Sequence, residues 1–181
     1  MSRILLHGIV VTACVMLLLG SQAMAETPSL PFVVTACVQA ATPPTLDGKL
    51  DDACWQATRR MAPFVKLTLG TPAEVQSVAY MAYDSENLYI GVRCSEPEMA
   101  RIKAEVTERD GPVYGDDCIE IFLIPPDSTI LAERNERERY FHLVVNPLGT
   151  RYDETGLQAP TSYDGDWQAA GSIGPDSWSL E

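Results

Sequence analysis

"VQSVAYMAYDSENLYIGVRC", Val75 to Cys94, decides the fold. In its first half Val78, Tyr80 and Ala82 alternate with Ala79, Met81 and Tyr83, the period-two pattern of a strand with two different faces. "DSEN" supplies turn chemistry, and "LYIGVRC" resumes the alternation. The stretch predicts a β-hairpin.

Reading outward, the same pattern recurs. "CIEIFLIPP" alternates Cys118, Glu120, Phe122 and Ile124 against Ile119, Ile121 and Leu123, and Pro125-Pro126 ends it. "YFHLVVN", the turn "PLGT" and "RYDET" predict a second hairpin; "DWQAAGSI", "GPDS" and "WSLE" predict a third, with its last strand cut short at Glu181. Phe32 to Gln39 is β-branched enough for a first strand. Helix signals reduce to one or two turns in Asp51–Thr58 and a short piece around Met99–Glu105. Short strands at this spacing, with no alternation of helix and strand, predict an all-β fold: an antiparallel, jelly-roll-like β-sandwich with one or two helical turns.

Residues 1–25 stand outside that fold. Arg3, an apolar run from Ile4 to Gly20 and the small-residue ending at Ala25 predict a signal peptide, hence export to the periplasm or the extracellular space. The run is too short for a comfortable membrane span. Val11-Thr12-Ala13-Cys14 loosely resembles a lipobox, but the strongest apolar block follows that cysteine. Cleavage after Ala25 leaves 156 residues (181 less 25), with 26–40 as an N-terminal segment and 41–181 as one domain. Losing Arg3 leaves 12 basic against 25 acidic residues, so nucleic acid and anionic membrane surfaces are poor partners.

Four cysteines remain: Cys37, Cys54, Cys94 and Cys118. Two disulfides and four buried thiols are equally compatible with them. With His142 as the sole histidine after Ala25 and no C-x-x-C pair, a zinc site is not expected. Neither a Gly-x-Ser-x-Gly elbow nor a nucleophile–base pair is visible, although abundant carboxylates leave a glycosidase pair open. No catalytic residue is assigned.

"GPVYGDDCIEIFL" carries the ligand-binding signal. Glu120 interrupts an apolar strand, so it faces either solvent or a polar cavity. Tyr114 stands in the loop before it, where an aromatic face can stack on a sugar while a carboxylate grips hydroxyls. His142 reads as a surface or core residue, a donor to a ligand hydroxyl, or an axial haem ligand opposite Met81 or Met99. "LDGKLDDACWQ", Leu46 to Gln56, lacks the spacing of an EF-hand; it reads as a tight turn and a helix cap that set Trp55 into the core, with calcium at Asp47 or Asp51 as the alternative.

Taken in order, "PPTLDGKLDDACWQ", "AYDSENLYIGVRC", "DDCIEIFLIP", "FHLVVNPLGTRYD" and "WSLE" resemble the carbohydrate-binding module family 9-like domains over Ala41–Glu181. The resemblance implies a β-sandwich that binds ends of plant-type polysaccharides without cleaving them, with structural calcium and a catalytic domain downstream or in trans. It implies Tyr114 as the aromatic platform, Asp117 and Glu120 as acidic contacts, and His142 as the polar strand residue. Trp167 is the nearest substitute for the family's second aromatic. DOMON-type cytochrome domains, which bind haem b on a similar sandwich, are the alternative resemblance, and part of a glycoside hydrolase is a third reading.

Overall fold

The computed structural model describes residues 36–125, 139–156 and 163–181. The predicted signal peptide and Phe32–Thr35 of the expected first strand lie outside them. The fold is all-β with short helical turns: β1 (Val38–Gln39), α1 (Ala53–Ala57), β2 (Ser77–Tyr83), β3 (Leu88–Ser95), β4 (Ile119–Leu123), β5 (Phe141–Val145), β6 (Arg151–Thr155), β7 (Gly171–Ile173) and β8 (Ser177–Leu180). Among the described strands one sheet runs β1-β2-β3-β8-β7 and the other β4-β5-β6. All pairings are antiparallel except β1 with β2.

The hairpin forms as its pattern requires. Tyr83 pairs with Leu88 across the loop, and the Asp84 carboxylate accepts the backbone N–H groups of Glu86 and Asn87 at 2.8 Å each. Ala79 and Val92 then point inward and join Cys94, Trp178 and Leu180 against Ile119 and Val145 of the second sheet. That shared layer is the main core. Val78, Tyr80 and Ala82 point the other way, and Ala82 is buried with Ala40, Leu50, Cys54 and Trp55. The opening corner therefore caps the outer face of the first sheet. Its depth is set at Gly91, where a Cβ would stand 2.7 Å from Leu50. Trp55 lies in this core as expected.

Gly48 holds a positive φ of 78°, and a Cβ there would lie 2.5 Å from the Gly171 backbone. Only glycine fits such a turn at such a distance. Asp47, the calcium alternative, accepts Lys49 N–H at 3.0 Å and pairs with Lys49 Nζ at 2.8 Å. Its oxygens serve the turn. The expected helix near Met99 is one 3₁₀ turn, Met99–Arg101. All four cysteines of the described residues are free thiols, and burial pushes Cys94 and Cys118 up to about 12, so both stay protonated.

Candidate functional site

The sheet register builds the site. In β4-β5-β6 the direct partners are Glu120–Val144–Tyr152 and Phe122–His142–Glu154. Directly opposed residues share a face, so two rows carry Glu120, Phe122, His142, Tyr152 and Glu154 on one side. Ile119 and Val145 take the other side, toward the core. The functional row is thus the outer face of the second sheet.

The long connection from β3 to β4 folds over part of that face. Asp116 organises it: the buried Oδ2 accepts Glu105 N–H at 2.9 Å, Val106 N–H at 2.8 Å and Asn146 Nδ2 at 3.0 Å. Val106, Val113 and Cys118 then pack with Val144 and Tyr152. The 3₁₀ turn Val113–Gly115 presents Tyr114, 60% exposed, with its ring edge-on to Tyr152 at 5.7 Å. Asp117 belongs to this framework, because its carboxylate accepts Lys103 N–H at 2.7 Å and its own N–H bonds the Lys103 carbonyl.

Beside the cover lies a polar cluster. His142 Nε2 is 3.0 Å from Glu120 Oε2, and Nδ1 is 2.9 Å from Glu154 Oε1. Tyr152 Oη donates to Glu154 Oε2 at 3.0 Å, and Phe122 stacks on the imidazole with centroids 4.4 Å apart. The His142 and Glu154 side chains are 6% and 5% exposed, but Glu120 is 23% exposed. Burial is the largest single influence on His142 and pulls its pKa down, yet hydrogen bonds and charge from Glu120 and Glu154 together raise it above the ordinary value. A group that holds its proton more tightly folded than unfolded adds stability below its unfolded value, near 6.5, and that stability is lost as pH rises through the folded value. Thermal unfolding from about pH 6.5 upward should show Tm falling, and His142→Gln should flatten that slope.

The structure brings Tyr114, Glu120 and His142 to one face and separates Trp167 from them. Trp167 packs against the core cluster, with the Arg151 guanidinium 5.4 Å from its ring and its Nε1 buried without a partner among the described residues. Arg151 pairs with Val145 on the inward side, so this aromatic faces away from Glu120. Glu154, Tyr152 and Phe122 belong to the site but carry no motif. Their only sequence signal is the alternation that also placed Glu120.

No protein-family model, curated protein or solved structure matches the chain. Function therefore rests on the site's own chemistry. Among the described residues no group of three or more His, Cys, Asp or Glu is arranged to hold a metal ion. No helix there is long and apolar enough to cross a membrane. With both His142 nitrogens occupied by carboxylates, neither is free for a haem iron. Glu154 is buried, so Glu120 and Glu154 are not two carboxyl groups that both reach a sugar. An open cleft of about 240 Å³ lies elsewhere, on the outer face of the first sheet, between Lys49, Arg93, Ser172 and Ser179. It has no aromatic lining, and Ser179 spends its hydroxyl proton on the Gly48 carbonyl.

Proposed function

We propose that the domain binds neutral carbohydrate, without cleaving it, on the outer face of β4-β5-β6. The observation that carries this reading is the pairing of an exposed, braced aromatic with a partly exposed carboxylate held by His142. Tyr114 keeps a ring surface in solvent while Tyr152 supports its edge. Glu120 stands in the same cross-strand row as Tyr152, two strands away, with Oε2 held by His142. Stacking on the apolar face of a pyranose and accepting from its hydroxyls are the two contacts a sugar offers. The chain's formal charge of −12 disfavours uronate-rich polymers. Exported location, from the signal-peptide pattern of residues 1–25, belongs to the same proposal, as do structural calcium and a catalytic partner, which come from the sequence resemblance.

Isothermal titration with xylo-, cello- and manno-oligosaccharides tests it. One series should bind, and Tyr114→Ala should weaken that binding about tenfold or more, since loss of one stacking contact removes about 1–2 kcal/mol. Glu120→Gln should weaken it by a similar factor. Absence of binding to every series, or full affinity in Tyr114→Ala, defeats the reading.

A further inference from the structure

His142 sits between two groups that, when ionised, only accept hydrogen bonds. A neutral imidazole has one N–H, yet carboxylates lie 3.0 Å and 2.9 Å from its two nitrogens. Satisfying both requires a proton beyond the neutral complement. Glu154 cannot turn away, because it is buried and Tyr152 donates to its other oxygen. Glu120 is the partly exposed partner and the one able to move. Its Oε1 makes no hydrogen bond among the described residues.

We propose that the row Glu120–His142–Glu154 is a proton-loaded clasp, in which a protonated His142 seated on buried Glu154 holds Glu120 in place with Oε1 turned toward ligand. Among the described residues the titratable groups facing His142 are Glu120 from β4, with Cys118 two residues before it, and Glu154 and Tyr152 from β6. Tyr140 immediately precedes β5 and packs on Phe122, and Tyr114 reaches His142 through Tyr152. None of these neighbours is a cation, so among the described residues of the row the imidazole is the group able to neutralise either carboxylate.

Two consequences follow from the chemistry. An acceptor-only oxygen selects ligands that donate, which are neutral hydroxyls; an ionised sugar acid meets Glu120 charge against charge. Deprotonation leaves one N–H, which stays on the better-held Glu154, and turns the Nε2 lone pair toward Glu120. Glu120 is then repelled into solvent and the grip is lost. Glu154 and Tyr152 are therefore positioning residues for a contact they do not make themselves.

The ligand half of this inference rests on the carbohydrate reading, and the proton half does not. Nuclear magnetic resonance of the ¹⁵N- and ¹³C-labelled full chain tests the second, with His7→Gln leaving His142 as the sole imidazole. Both ring nitrogens should be protonated near pH 6, and the titration midpoint should lie above 6.5. Glu154→Gln and, at the more exposed end, Glu120→Gln should each lower that midpoint by about one pH unit or more. A single neutral tautomer near pH 6, or a midpoint unmoved in both variants, overturns the clasp. For a bound oligosaccharide, affinity should weaken about tenfold as His142 loses its proton and should be independent of pH in His142→Gln. A pH-independent wild-type affinity overturns the coupling. If no neutral glycan binds at any pH, the carbohydrate reading falls, and the resonance titration alone decides whether the row holds its proton.

Discussion

Replacing Arg109 with Met is expected to cost about 3 kcal/mol of folding stability. Arg109 Nη2 lies 2.8 Å from Asp153 Oδ1 and 2.6 Å from Asp164 Oδ1, and Nε is 3.7 Å from Asp110. Asp153 is fully buried, and its other oxygen accepts Gly165 N–H at 2.7 Å. One guanidinium thus neutralises a buried carboxylate of β6 and ties it to the segment leading toward β7, where it also donates to the Gly165 carbonyl at 3.1 Å. Removing the cation leaves Asp153 charged and dry. Breaking such a pair costs about 3–5 kcal/mol, and the third of Arg109 that stays in water favours the lower end. Urea denaturation measures it directly. Asp153→Asn in the Arg109→Met background should recover part of the loss, because the unpaired charge disappears; equal stability of the single and double variants would argue against this account.

The second large effect is expected at Glu181. Its side chain joins the last described strand to the opening corner across the whole sequence. Oε1 accepts Trp55 Nε1 at 2.7 Å, and Oε2 accepts the backbone N–H groups of Gly48 and Asp47 at 2.9 Å and 3.1 Å. Burial pushes this carboxyl up, and those three donors pull it partly back. Glu181→Ala leaves the Trp55 indole and two backbone groups without acceptors, at a cost of about 2–3 kcal/mol after the relief of desolvation. Glu181→Gln should recover little, because donors converge on both oxygens and an amide NH₂ must face one of them. Chemical denaturation monitored by Trp fluorescence reports the loss. A Glu181→Ala protein with unchanged stability would mean that water replaces the carboxylate at the corner.

These two anchors show where sequence reading stops. The hairpin Val75–Cys94 was legible because period two and a four-residue turn are local signals, and both faces came out as the alternation required. The same logic placed Glu120 with Phe122. It did not reach Glu154, because pairing His142 with Glu154 depends on register across β5 and β6. That register is set by Asn146, whose Oδ1 accepts Leu148 N–H at 3.1 Å and Thr150 N–H at 2.9 Å inside the turn. Nor do adjacent aspartates announce their roles: Asp116 organises the loop and Asp117 ties it to Lys103, yet the two read alike. Trp167 lies outside the named strands, so no alternation fixed its face. Glu181 meets Trp55 across 126 positions, a contact for which a sequence carries no local mark.

Carbohydrate binding on the outer face of β4-β5-β6 is tested by amide chemical-shift mapping with the oligosaccharide series. Perturbations should group on Val113–Gly115, on Glu120 and on the β5-β6 face around His142 and Tyr152. Perturbations grouped instead around Arg93 and Ser179, or none with any neutral glycan, would contradict it.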